Sequence, residues 1–347
     1  MQYRSFFALV AMAALACTFV DPLLAGKKKK KDEEPVTQTL PVLKDPPQAI
    51  LADTDHLSFR VAPLSAKGLL SAQVRESLKF LLKENKGTIV KLRAFVAGTG
   101  DMRRFGTIVS EMFSDKKLPL PAITTVQAGG LPLDGAQVVI EAISVEKKSV
   151  NPQGVALVAA LPLEQVEAAL KSLGLGGGRV LRATCYVPSL DNHQQSRAAV
   201  TAAFPNASVN LIQMQRMPVR GSMICETVAA LERAPSGAVE FRDNSHVALL
   251  GPGKIVITGT QLAFHAQDAD VRLAFERLGR TLEGMQTSYS KVVAVWFYPL
   301  ADDVAEKIRE RQKDFLPKDH PPVVSSILME GLPSLDASFA AEVIAIP

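Results

Sequence analysis

Cysteine, tryptophan and histidine are scarce in this sequence: its 347 residues include three Cys, one Trp and five His. The histidines (His56, His193, His246, His265, His320) are far apart and form neither HExxH nor a Cys/His ligand spacing. That removes the common zinc patterns and leaves no metal and no cofactor to expect. Aromatics make up 6% of the chain and no basic strip is interleaved with them, so a single-stranded RNA groove is not expected. The net charge is +4, and the lysine run at 27–31 accounts for it; the remainder is close to neutral and shows no nucleic-acid footprint. No Ser or Cys sits in a nucleophile-elbow context. The glycine-rich loop at 174–178 leaves an expected helix and enters an expected strand, the reverse of a phosphate-cradling order, and reads as a helix C-cap.

The longest apolar run, 6–20, spans fifteen residues, short of the roughly 20 needed to cross a bilayer. With Arg4 before it and small residues at Ala25 and Gly26, segment 1–26 reads as an export signal, and Ala14-Leu15-Ala16-Cys17 loosely resembles a lipoprotein box. The expected location is the periplasm or cell envelope of a bacterium, or the cytoplasm if the leader does not function. Segment 27–48 is Lys-rich, then Pro-rich, and reads as a linker that ties the chain to a membrane if the leader is kept.

What the sequence does contain is a repeat. Segment 121–145 reads as a strand, a Leu131-Pro132 turn and a return strand carrying Glu141. Segment 207–230 repeats it with Met217-Pro218 and Glu226, and segment 322–346 with Leu332-Pro333 and Glu342. The glutamate follows the turn proline by nine, eight and nine residues. Ahead of each copy the periodicity predicts helix, strand, helix: 71–85, 89–96 and 102–113; 163–173, 180–187 and 192–204; 270–285, 291–298 and 303–315. The middle copy has room for a single strand, 155–160, before its helix. The expected domains are 49–148, a shortened 149–234, and 235–347. Cys185 and Cys225 fall on expected strands of the middle copy. A disulfide and two buried free thiols both remain open, the second being the commoner outcome for lone strand cysteines.

The order of short motifs resembles the Rid (YjgF, L-PSP endoribonuclease) family. Gly68 and Gln73 match its lead into the first helix, Phe105 and Phe113 its second helix, and Pro121-Ala122, Leu131-Pro132 and Glu141 its closing hairpin; Gly259 and Gln261 match its opening turn in the third copy. The resemblance implies an α+β, chorismate-mutase-like fold whose three copies form an intramolecular pseudo-trimer, with a central sheet barrel and outer helices. One monomeric chain would then replace a homotrimer.

Active members of that family place an arginine after the Pro-Ala of the closing hairpin, where it grips the carboxylate of an amino-acid-derived imine or enamine. Here Ile123, Val209 and Val324 occupy that position. An aliphatic side chain cannot pair a carboxylate, and burying that anion unpaired costs several kcal/mol. No catalytic residue is therefore assigned. The expected ligand-cleft residues are Ile123, Val209 and Val324, with Glu141, Glu226 and Glu342, and Arg216 beside the middle turn. The expected function is non-catalytic small-ligand binding or scaffolding; the alternative is an imine/enamine deaminase with a non-standard site.

Overall fold

The computed structural model describes residues 43–214 and 223–347. The leader, most of the linker, Cys17, Arg216 and the Met217-Pro218 turn lie outside the described residues. Elements of the first copy are β1 (Ala49–Asp53), β2 (Leu57–Val61), α1 (Leu70–Glu84), β3 (Thr88–Ala97), α2 (Arg103–Asp115), β4 (Ala122–Ala128) and β5 (Val138–Val145). The second copy has β6 (Val155–Pro162), α3 (Leu163–Ser172), β7 (Val180–Val187), α4 (His193–Ala203), β8 (Ser208–Gln213) and β9 (Ile224–Ala230). After these come β10 (Val239–Arg242), β11 (Val247–Leu250), β12 (Lys254–Thr258), β13 (Gln261–Phe264), α5 (Asp268–Gly284), β14 (Val292–Pro299), α6 (Asp302–Phe315), β15 (Val323–Ser326) and β16 (Ala337–Ala345).

The result is an α+β protein of three mixed sheets, ordered β2-β5-β3-β4, β10-β11-β6-β9-β7-β8 and β1-β12-β16-β14-β15, with β13 also on β16. Each is built on one motif: β3, β7 and β14 run parallel to β4, β8 and β15 and antiparallel to β5, β9 and β16. No sheet closes on itself, so the expected central barrel is not formed by a continuous ladder. Three open sheets face one another instead, and among the described residues the seams carry side-chain bonds and isolated bridges such as Gln127↔Gly331 and Gly130↔Gln213.

Three strands cross the expected boundaries. β1 leaves the first copy and pairs with β12, from Ala49↔Thr258 to Asp53↔Lys254. β10 and β11 lie within the expected third domain, yet β11 pairs with β6, from Val247↔Val158 to Leu250↔Val155, and carries β10 with it. β1 thus extends the third sheet, and β10 and β11 the second. The middle copy has no such leading strand, which accounts for the four-stranded first sheet.

Alternation on the strands separates two kinds of core. Leu92, Ala94 and Val96 of β3 face α1 and α2, where they pack with Val74, Leu78 and Phe105. The other face turns inward, and Phe95, Val126, Tyr186, Val228, Trp296 and Ile344 from all three sheets share one core. A sheet with helices on one face only must bury its other face, and here it does so against its two sister sheets. Gln73 fixes α1 from inside: its Nε2 donates to Gly135 O at 2.9 Å and its Oε1 accepts from Gln137 N at 2.7 Å, tying the helix to the β4–β5 turn.

The glycine-rich loop behaves as its order predicts. Gly174, at φ +73°, ends α3 in the left-handed region, and Leu175 N donates back to Leu170 O at 2.9 Å. Cys185 and Cys225 sit directly opposite each other on β7 and β9 and form a disulfide, not two free thiols. The pairing register places their Cα atoms 4.1 Å apart in the helix-side core of the second sheet.

Candidate functional site

An irregularity recurs in the three central strands. The pairing shifts between Ile89 and Lys91, between Val180 and Arg182, and between Val292 and Ala294. Each shift puts two successive residues on the inner face, as a β-bulge does. It turns Lys91, Arg182 and Ala294 inward, followed two residues on by Arg93, Thr184 and Trp296. Those last three lie opposite Glu141, Glu226 and Glu342 in the ladders. Three cations and three carboxylates therefore meet in the shared core, all at most 4% exposed.

The bonding passes from copy to copy. Glu141 of the first copy accepts from Thr184 Oγ1 and Asn210 Nδ2 of the second, both at 2.7 Å. Glu226 of the second accepts from Trp296 Nε1 of the third at 2.5 Å, and from Arg93 Nη1 of the first at 2.5 Å. Glu342 of the third accepts from Lys91 and Thr124 of the first, and from its own neighbour Tyr298 at 2.7 Å. The sequence grouped these glutamates with the ligand clefts. The structure places them instead at the centre, where bonds from neighbouring copies occupy them.

Burial alone would raise the Glu342 carboxyl; the charges of Lys91 and Arg93 outweigh it and hold the group down to about 2. Burial pushes the Lys91 amine down, partly offset by Glu342. Lys91 nonetheless donates three bonds, to Glu342, to Thr124 Oγ1 at 2.7 Å and to Thr258 O at 2.6 Å, which only an ammonium can do. Burial likewise raises Tyr186 and Tyr298 far above the usual phenol range.

Arg182 differs from the others. Its guanidinium makes no hydrogen bond to a described residue; it lies 3.6 Å from both Glu141 and Glu226 and over the Phe59 ring at 5.7 Å. It lines a central cavity of about 30 Å³ with Arg93, Lys91 and aliphatic side chains. Such a space is on the scale of a buried water and not of an organic ligand.

The aliphatic trio lies elsewhere. Ile123, Val209 and Val324 sit opposite Leu92, Ala183 and Val295 in the three parallel pairs, the same register each time. They point to the helix-side cores and are half-buried at the seams between copies. The seam at Ile123 is tightly closed: Thr260 N donates to Ile123 O at 3.0 Å, and a Cβ on Gly259 would stand 3.1 Å from that oxygen. At Val209 there is space, a cleft of about 310 Å³ between the copies, walled by Pro63, Leu64 and Val139 on one side and by Arg197, Ser208 and Asn210 on the other. Among the described residues no group of His, Cys, Asp or Glu could hold a metal ion. The sequence missed Lys91, Arg93 and Arg182, and its candidate Arg216 lies outside the described residues.

No family model and no curated protein matches the chain. Solved structures similar to it include a YjgF/YER057c/UK114 family member from Mycobacterium tuberculosis, 18% identical with a TM-score of 0.25, covering 27% of this chain and 79% of that one. RidA from an Antarctic Psychrobacter is 17% identical with a TM-score of 0.25, covering 33% and 92%. TdcF of E. coli, solved with bound serine, is 20% identical with a TM-score of 0.25, covering 27% and 80%. The chain is thus similar to Rid-family structures over about a third of its length at a time.

Proposed function

We propose that this chain is a Rid-like protein whose three copies stand in for the subunits of a trimer, and that it binds a small ligand at a seam without catalysing imine hydrolysis. One observation carries the reading: in all three copies the strand position where a carboxylate-gripping arginine would stand is aliphatic, and the register is identical each time. Arginine suits that task because its fixed fork makes two parallel bonds to a carboxylate; Ile123, Val209 and Val324 offer none. The cyclic passage of hydrogen bonds from each glutamate to a neighbouring copy supports the pseudo-trimer, since a head-to-tail contact repeated three times closes a ring. The buried Cys185–Cys225 disulfide favours an oxidising compartment and hence export.

The test is release of ammonia from 2-iminopropionate, followed by a coupled assay. The reading predicts no turnover above the uncatalysed rate. Turnover abolished by changing Arg216 would overturn it in favour of a deaminase with a non-standard site.

A further inference from the structure

We infer that the central cavity binds a single halide ion, chloride being the abundant one, held by the guanidinium groups of Arg182 and Arg93. All three sheets line this cavity, and none of Ile123, Val209 and Val324 does, so the inference stands apart from the seam reading above. A guanidinium carries five N–H donors and no acceptor. Arg182 is 3% exposed, and it makes no hydrogen bond to a described residue. Arg93 engages Glu226 and Tyr186 through its terminal nitrogens, but its Nε is buried and without a hydrogen bond, as is that of Arg182. The same two carboxylates hold both side chains. Glu141 Oε2 lies 3.5 Å from Arg93 Nη1 and 3.6 Å from Arg182 Nη1, and Glu226 Oε1 lies 2.5 Å from Arg93 Nη1 and 3.6 Å from Arg182 Nη2. Buried polar groups are nearly always bonded in native proteins. Two unbonded donors on residues that border one cavity therefore mark a ligand position.

Size and chemistry decide what fits. About 30 Å³ has room for one water or one monatomic ion and none for a polyatomic anion. A buried water needs acceptors for its hydrogens as well as donors. The acceptors bordering this cavity are engaged: Glu342 takes bonds from Lys91, Thr124 and Tyr298, Thr258 O takes one from Lys91, and Thr258 Oγ1 takes one from Val343 N. Glu141 Oε2 also lacks a hydrogen bond, but Glu141 does not border the cavity. Among the described residues that do, Lys91, Arg93 and Arg182 stand against one carboxylate, Glu342, and the remaining walls are mostly hydrocarbon such as Leu157, Val228, Ile257 and Ile344. The third copy leaves the centre one long side chain fewer, since Ala294 occupies the bulge position that holds Lys91 and Arg182 in the other two. Spare donors, surplus positive charge and aliphatic walls suit an ion that only accepts.

The experiment is urea denaturation of the full chain, its disulfide intact, as sodium chloride replaces sodium gluconate at fixed ionic strength. Holding ionic strength fixed keeps screening constant. Above the dissociation constant, each tenfold rise in chloride should raise the folding equilibrium constant about tenfold, the slope for one ion bound by the folded state alone. Bromide should act as chloride does. Arg182→Met should abolish the slope, whereas Arg277→Gln, on helix α5, should keep it. A second measurement holds if Arg182→Met does not fold: the chain is refolded from urea in sodium bromide, crystallised, and measured at the bromine absorption edge. An anomalous peak in the central cavity beside Arg182 and Arg93 is expected. No halide dependence in the unaltered chain, a slope unchanged in Arg182→Met, or a cavity that holds water and gives no anomalous signal would each overturn the inference.

Discussion

Lys91 and Glu342, 251 residues apart in the chain, are hydrogen-bonded at the centre of the molecule. This contact joins the first copy to the third, as Glu141 joins the first to the second and Glu226 the second to the third and the first. Because both groups are buried, the effect of losing one partner differs from that of losing both. Lys91→Met should destabilise the protein by about 3–5 kcal/mol, since it leaves a buried carboxylate without its main counter-charge. The double variant Lys91→Met/Glu342→Leu should recover most of that loss, because a packed apolar pair can replace a buried ion pair at little cost. Urea denaturation midpoints of the three proteins decide the matter. Arg182→Met should cost less than Lys91→Met, since Arg182 makes no hydrogen bond to a described residue and only approaches its two glutamates.

Acid should act on the same contact. The folded Glu342 carboxyl titrates at about 2, while an unfolded glutamate does so near 4.3. A carboxyl depressed on folding contributes stability that is complete above its unfolded pKa and is lost as pH falls through the folded one. Stability is therefore expected to hold steady above about pH 5 and to drop by about 3 kcal/mol between there and pH 2 from this group. Urea melts at successive pH values would show it; a flat profile down to pH 2 would mean that Glu342 is not held ionised by its cations.

The Cys185–Cys225 bond closes a loop across a sequence separation of 40 residues, for which the chain-entropy account gives about 4 kcal/mol. Cys185→Ala/Cys225→Ala should lower stability by an amount of that order. Thiol labelling of the denatured, unreduced protein should leave both residues unmodified, and labelling of either would show that the bond is absent.

The sequence disclosed the repeat because a turn proline and an inward glutamate recur at nearly constant spacing, and that spacing puts Ile123, Val209 and Val324 at one equivalent position. It also foretold the single leading strand of the middle copy. The centre was not legible. Lys91 and Arg93 look like ordinary strand residues until the bulge at 89–91 brings Val90 and Lys91 to the same face. Glu141 likewise gives no local sign that its partners are Thr184 and Asn210 of another copy. Exchange of β1 and β11 escaped for the same reason, since the pairing of Ala49 with Thr258 or of Val247 with Val158 is decided by how the sheets meet. The disulfide depended on Cys185 and Cys225 being directly opposed, a property of register and not of either strand alone.

The proposed ring uses every seam within one polypeptide and leaves none for another copy to fill. Light scattering of the purified chain in solution is the most direct measurement of that claim. It should return the mass of one chain across a wide concentration range. A stable species of three chains would contradict the account, because subunits that still assembled in threes could not already have closed on themselves.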